Sequence, residues 1–386
     1  MIKSVIGLTG SFGSGCTTQV VPLLESRSYR CISLSKLLRA EYAKANPEIT
    51  DPSRQQLQAF GDSLREENGC GYLAQQAVAA MREAPGQGKW VIDSIRNPEE
   101  ADFIKSECLE FYLFAVFAEY QTRWRRVMSR YDNDERAFKA DDERDAGERF
   151  RHGQRVTDCY ILADAMVNNN VDFQKSGDAQ EELEAKINRL VGLVEHTKPF
   201  IPTEAEALMA VTFANSLRSS CMKRKVGAVI VDDSGHVFSS GYNEVPKDDH
   251  PCKYYGKCYR ERLSDDLGEE IGEIIDGEKL KEIREVFRKR FKNLDYCKAL
   301  HAEESAILNV ARFGSSTALR GGTLYVTTYP CNLCANKIVQ VGLSRVLYLE
   351  PYPMPEAKEI LQHGRVQEVS FEGVSFNGYF RFKREV

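Results

Sequence analysis

The chain has no run of 18 apolar residues, so no membrane-spanning helix is expected. It also lacks an apolar leader: Met1-Ile2-Lys3 leads straight into a strand-like stretch, and no signal peptide is expected. Surplus positive charge is missing, since 52 Lys and Arg stand against 57 Asp and Glu for a net charge of -5. Nucleic-acid surfaces need clustered Lys and Arg to neutralise phosphates, so this balance speaks against a broad one. No internal repeat and no low-complexity segment is visible. Cysteine is plentiful at 11, but the count is odd and two sit at metal-ligand spacing. A disulfide framework is therefore not expected, and a reducing cytoplasm is. What is present is an ordinary globular balance, 42% hydrophobic and 28% charged. At 386 residues the chain is too long for one core, which predicts two domains.

Two short motifs carry the strongest chemistry, His301-Ala302-Glu303 and Pro330-Cys331-Asn332-Leu333-Cys334. Taken singly, each has a bland reading. An H-x-E is usually two surface residues on a helix, and a C-x-x-C is as often structural or redox as catalytic. Together they spell the zinc deaminase signature H-x-E…P-C-x-x-C. One imidazole and two thiolates leave a tetrahedral zinc with one open position for a water. Cys331 and Cys334 follow the strand-like residues 323–328 (TLYVTT) and begin a helical pattern, so residues three apart share one face. His301 opens a second helical run, and helix N-termini favour the thiolates the metal needs. Glu303 is then the proton carrier rather than a ligand.

The first half alternates strand-like stretches (residues 4–8, 31–34, 90–93 and 111–118) with helical patterns (15–26, 54–67, 72–82, 98–107 and 120–130). Strands separated by helices predict a parallel α/β sheet. The charged residues 130–155 read as a lid or solvated loop, residues 179–195 as a closing helix, and residues 196–203 (HTKPFIPT) as the linker. These readings divide the chain into domains 1–197 and 204–386. The second half reads α-β-β-α-β-α-β, with a charged insertion at 246–295, and predicts a three-layer α/β/α domain.

After the first strand, Gly10, Ser11, Gly13, Ser14, Gly15, Cys16, Thr17 and Thr18 fit G-x-x-x-x-G-K-[ST], except that Cys16 stands where lysine belongs. Glycines let backbone N–H groups wrap a phosphate, and Thr17 is a candidate magnesium ligand, with Asp93 as its partner or a plain strand-end aspartate. A neutral, short thiol cannot replace the lysine's point charge, so binding without efficient phosphoryl transfer is expected. Arg123, Arg125, Arg126 and Arg130 are candidates to restore charge.

The stretches Leu217-Arg218-Ser219-Ser220-Cys221, Lys225-Val226-Gly227-Ala228-Val229-Ile230 and Gly241-Tyr242-Asn243-Glu244-Val245-Pro246, with HAEESAI and the two cysteines, resemble a deoxycytidylate deaminase over most of residues 204–350. The first half resembles P-loop nucleoside-monophosphate kinases, with Ser94-Ile95-Arg96-Asn97-Pro98 as a further marker. The fusion, with Glu350-Pro351-Tyr352-Pro353 beyond the last strand, is similar to the bacterial anti-phage dCTP deaminases. That resemblance implies hydrolytic deamination of dCTP or dCMP to deoxyuridine nucleotides, and depletion of dCTP during infection. It implies zinc on His301, Cys331 and Cys334, proton transfer by Glu303, and substrate contacts from Asn243, Ala302 and Tyr329, with Asn243 on the sugar. Two departures stand out: Glu244 where glycine is usual, and Tyr329 where a small residue is common.

In the expected reaction an activated water attacks position 4 of cytosine while Glu303 moves protons and ammonia leaves. The rivals are a housekeeping dCMP deaminase, a nucleic-acid deaminase of the tRNA-adenosine type, and a nucleotide switch with a structural zinc. His250, Cys252, Cys258 and Cys297 are candidates for a second, closed zinc site, although C-x₅-C is loose spacing and buried cysteines are common. A regulatory nucleotide such as dTTP on the first domain, assembly into a homo-oligomer, and restraint by an RNA or protein inhibitor complete the expectations.

Overall fold

A computed structural model describes residues 2–85, 88–146, 152–170, 178–274, 279, 281–283, 297–313, 319–350 and 354–382. The expectations for residues 147–151, 351–353 and much of the 246–295 insertion lie outside the described residues. The chain forms two compact units, Met1–Glu206 with Phe371–Val386, and Ala207–Ser370.

The first unit runs β1 (Ile2–Thr9), α1 (Val21–Glu25), β2 (Tyr29–Ser33), α2 (Leu34–Ala45), α3 (Arg54–Asn68), α4 (Tyr72–Glu83), β3 (Lys89–Ile95), α5 (Pro98–Glu107), β4 (Cys108–Phe117), α6 (Tyr120–Val127), α7 (Glu135–Ala146), α8 (Val156–Leu162), β5 (Ala165–Asn168) and α9 (Asp178–Val194). Strands β2, β3, β1, β4 and β5 lie side by side in that order, all parallel. A two-residue strand from late in the chain adds to the sheet antiparallel to β5. Seven consecutive residues of β4, Phe111–Phe117 in FYLFAVF, are buried, as expected for a parallel strand covered on both faces. Helix boundaries follow local chemistry. In α5, Asn97 caps the Glu99 N–H, Glu100 returns a bond to the Asn97 N–H, and Pro98 sits at the first helical position. Such a cap is worth about 1 kcal/mol.

Three details differ from the sequence reading. The helix expected over 15–26 opens as a π-helical turn, Cys16–Val20, before α1. Helix α2 replaces a gap. The charged segment expected to be a lid or loop holds α7, whose Phe138 is fully buried among Tyr120, Trp124 and Tyr131 at 5.2–5.5 Å. Three of its acids are inward ion-pair partners: Asp142 binds Arg123, while Asp141 and Asp145 take Arg54, and Asp145 also takes Arg96. Those partners are distant in sequence, so a charged composition alone suggests solvent.

The second unit contains most of α10 (Glu204–Ser216), then β6 (Gly227–Val231), β7 (Val237–Tyr242), α11 (Tyr259–Ile274), α12 (Ala302–Phe313), β8 (Thr323–Thr328), α13 (Asn332–Val341), β9 (Arg345–Glu350), α14 (Pro355–His363) and β10 (Gln367–Ser370). Its sheet has the order β10-β9-β8-β6-β7, parallel from β10 to β8 and antiparallel from β8 to β7. Gly227 abuts Thr212 of α10, whereas Gly241, paired with Ala228, abuts Ala302 and Ala306 of α12. Neighbouring strand residues face opposite sides, so α10 and α12 cover opposite faces in an α/β/α arrangement. The chain then leaves this unit: β11 (Gly373–Val374) pairs with β5 and α15 (Phe376–Phe382) packs Phe382 on Tyr112 at 4.7 Å. Residues 371–382, which the sequence reading placed in the second domain, thus belong to the first unit.

Candidate functional site

Helix α12 must lie close on β7 to present its N-terminus, and Gly241 permits this. A Cβ there would meet the backbone of Ala302 and Ala306, so any side chain would lift the helix. Ser239 Oγ donates to the Ala306 carbonyl at 2.7 Å and Asn309 Nδ2 to the Ser240 carbonyl at 2.9 Å. Just before the helix, Glu244 and Leu300 exchange backbone bonds of 3.2 and 2.8 Å, which fixes the approach to His301. Beyond the end of β8, Cys331 stands at the N-cap of α13 and Cys334 in its first turn.

Both sulfurs lie 3.3 Å from His301 Nδ1, and the three ligand atoms fall within 4.8 Å of one another. Tetrahedral zinc with bonds of about 2.0–2.3 Å needs ligand atoms roughly 3.5–3.8 Å apart, so the two histidine–sulfur separations fit zinc with a few tenths of an ångström of adjustment. Nδ1 is the atom that faces both sulfurs, leaving Nε2 to carry the proton. The Cys334 thiol and the His301 ring pull Cys331 down to about 4, the direction that favours a thiolate ligand. Glu303 is 4% exposed, and burial pushes its carboxyl up to about 7. A carboxyl so placed can hold or release a proton near neutrality.

The other residues singled out by sequence fall as follows. Asn243 is committed to backbone: its Oδ1 accepts from the Val226 N–H at 2.8 Å and its Nδ2 donates to the Arg224 carbonyl at 2.9 Å. Ala302 is fully buried under the helix start. Tyr329 is buried with its hydroxyl on Glu368 and its ring edge-on to Tyr348 at 4.8 Å. Among the described residues, His250, Cys252, Cys258 and Cys297 are not gathered at metal-ligand spacing. His250 stacks on Tyr254 at 4.2 Å, and Cys252 Sγ accepts from the Tyr259 N–H at 3.4 Å. Burial pushes the Cys297 thiol up, with further contributions from Cys258 and from Cys221, which the sequence does not group with them.

In the first unit, Gly10 to Thr18 line a cavity of about 1220 Å³. Gly15 has φ 98°, a left-handed conformation that favours glycine. Cys16 Sγ rests 3.5 Å from the Thr9 carbonyl and from Ser14 Oγ, and burial pushes its thiol up to about 12, so it adds no charge. Thr17 Oγ1 donates to Asp93 Oδ2 at 2.7 Å, where Ser33 and Ser94 also donate, and the magnesium expectation gains no support. Arg123 is spent on Asp142 and on the Ala118 and Phe12 carbonyls; Arg126 grips the carbonyls of Gly13, Ser14 and Asn169. Arg125 and Arg130 line the cavity itself.

A His-Cys-Cys set, its two cysteines buried and its histidine half-buried, stands beside a buried glutamate on an α/β/α scaffold, a donor set suited to zinc. Residues 202–350 match the family described as the cytidine and deoxycytidylate deaminase zinc-binding region. The chain is 37% identical over 139 residues to deoxycytidylate deaminase of Saccharomyces cerevisiae, covering 36% of this chain and 35% of the yeast protein. It is 31% identical over 176 residues to deoxycytidylate deaminase of Enterobacteria phage T2, covering 42% of this chain and 90% of the phage protein. A shikimate kinase structure from Bacteroides thetaiotaomicron is 10% identical with a TM-score of 0.30, covering 49% of this chain and 98% of that one. Through its second unit the chain belongs to the deoxycytidylate deaminase family. The match spans about a third of the yeast relative's length. Among the described residues no helix is long and apolar enough to cross a membrane.

Proposed function

We propose that the second unit hydrolytically deaminates a deoxycytidine nucleotide, dCMP or dCTP, water replacing the 4-amino group and ammonia leaving. The observation that carries the reading is Glu303, buried two residues from His301 beside the His301, Cys331 and Cys334 set. Zinc, when bound, supplies the Lewis acidity that yields a nucleophilic water near neutral pH. Glu303 takes the water's first proton and delivers it to the ring nitrogen N3, then carries the second, from the new C4 hydroxyl, to the amine, which leaves as ammonia while the C4 carbonyl forms. Asn243 steadies the 224–226 backbone beside the site and has one Oδ1 lone pair left for a sugar hydroxyl. Three ligands alone make an incomplete structural site, which favours catalysis over a structural zinc. The first unit is proposed as a nucleotide-binding regulatory domain, and depletion of dCTP as an anti-phage defence is the biological role to which this fusion is suited. Restraint by a nucleotide, an RNA or a protein, and assembly into a homo-oligomer, belong to the same proposal. Housekeeping conversion of dCMP fits the same centre.

Ammonia release should be measured with dCTP, dCMP, cytidine and an RNA hairpin. Release from the free nucleotides and none from the hairpin is expected; release from the hairpin alone would end the proposal, and dCMP without dCTP would select the housekeeping reading. Metal counting is a separate check. One zinc per chain is expected from the gathered set, lost with activity in Cys331→Ser. Two per chain, falling to one in Cys252→Ala/Cys258→Ala, would instead require a second site.

A further inference from the structure

The cavity of the first unit has a composition that phosphate loops alone do not explain. Eight cations line it, Lys36, Arg39, Arg54, Arg65, Arg96, Arg125, Arg126 and Arg130, against one lining acid, Asp141. The inner ones are occupied. Arg54 and Arg96 pair with Asp145, Arg65 with Glu100 and Asp62, and Arg126 holds loop carbonyls. Lys36, Arg39, Arg125 and Arg130 make no ion pair with a described carboxylate. Lys36 and Arg39 are three apart on α2 and share a face. Arg125 stands on α6, and Arg130 lies in the 3₁₀ turn that follows it.

A second, independent observation lies at the inner wall. Gln58 is 3% exposed and lines the cavity. Its Nε2 donates to Asp145 Oδ1 at 2.7 Å, which fixes the amide orientation because a carboxylate can only accept. Its Oε1 has no hydrogen-bond partner. A buried acceptor without a donor costs about 1–3 kcal/mol and asks for an N–H. Leu34, Leu38, Leu57 and Leu73 supply apolar wall for a ring.

We propose that this cavity binds a nucleoside phosphate, with Lys36, Arg39, Arg125 and Arg130 taking the phosphates in place of the missing loop lysine and Gln58 Oε1 taking an N–H of the base. The proposal rests on the reading of the first unit as nucleotide-binding and is independent of the second unit's substrate. The four cations reach phosphate from the rim, while Cys16 leaves the loop itself without a point charge on the transferring group. The ligand is therefore held and not hydrolysed.

Equilibrium dialysis of the full-length protein with ATP, dTTP and inorganic tripolyphosphate tests this, since none of the three carries a cytosine to deaminate. Arg39→Ala/Arg125→Ala should weaken all three by at least about ten-fold, the loss expected for charge-assisted hydrogen bonds. Gln58→Met should weaken ATP and dTTP but leave tripolyphosphate unchanged. Intrinsic fluorescence and zinc content confirm that each variant is folded. If ATP and dTTP bind wild type but neither variant changes their affinity, the assignment of this cavity is wrong while nucleotide binding stands. Binding lost in Cys331→Ser would place the ligand at the zinc centre and overturn the proposal. No binding to wild type at millimolar concentration would remove both the proposal and the reading beneath it.

Discussion

Glu303→Ala is expected to lower deamination by about 10²–10⁴-fold while zinc per chain stays at the wild-type level. The two readouts separate the roles. Glu303 lies in the first turn of α12, in the helical step after His301, and is 4% exposed. The gathered metal set is His301, Cys331 and Cys334 without it. Removing a proton carrier leaves those ligands and their supports, the Gly241 contact and the Glu244–Leu300 pairing, untouched. Glu303→Gln should lose as much activity as Glu303→Ala, because an amide keeps the volume and hydrogen bonding but cannot accept the proton. A folded Glu303 variant that loses zinc, or a Gln variant near wild-type rate, contradicts the assignment.

How much of this was readable in the sequence depends on whether the determinants were local. Helix α5 begins and ends where the pattern predicts because Asn97, Pro98 and Glu100 encode its start within four residues. The gathering of His301, Cys331 and Cys334 was legible for the same reason: two cysteines three apart at a helix start, and a histidine just before another. The supports of that set were not. The pairing of Glu244 with Leu300 spans more than fifty residues, and the commitment of Asn243 to the 224–226 backbone needs the fold to bring the segments together. Helix α7 was misread because Asp141, Asp142 and Asp145 look solvated until Arg54, Arg96 and Arg123 arrive from other elements. Strand β5, four residues, and β11, two residues, are too short to announce themselves by alternation.

The return of the C-terminal segment yields the largest stability effect expected in the molecule. Thr203 and Glu206 have the T-x-x-E spacing of a capping box, and the Glu206 N–H does bond Thr203 Oγ1 at 3.2 Å. The carboxylate does far more. It accepts from the Thr203 N–H, both Arg189 terminal nitrogens and the Val374 N–H, each at 2.7 Å, with its side chain fully buried. Val374 belongs to β11, so one carboxylate joins the start of α10, helix α9 and the last strand of the first unit's sheet. Glu206→Ala would leave a buried strand N–H without an acceptor and Arg189 without its counter-charge. The expected cost is about 1–3 kcal/mol for the stranded strand N–H, with a smaller share from Arg189, which is 35% exposed and finds water. Glu206→Gln keeps an acceptor and should recover part of it. The two tryptophans, Trp90 in β3 and Trp124 in α6, both lie in the first unit, so tryptophan fluorescence during denaturant unfolding reports that unit alone. A shift of under about 1 kcal/mol in that transition would show that water replaces the carboxylate and that the strand return does not depend on it.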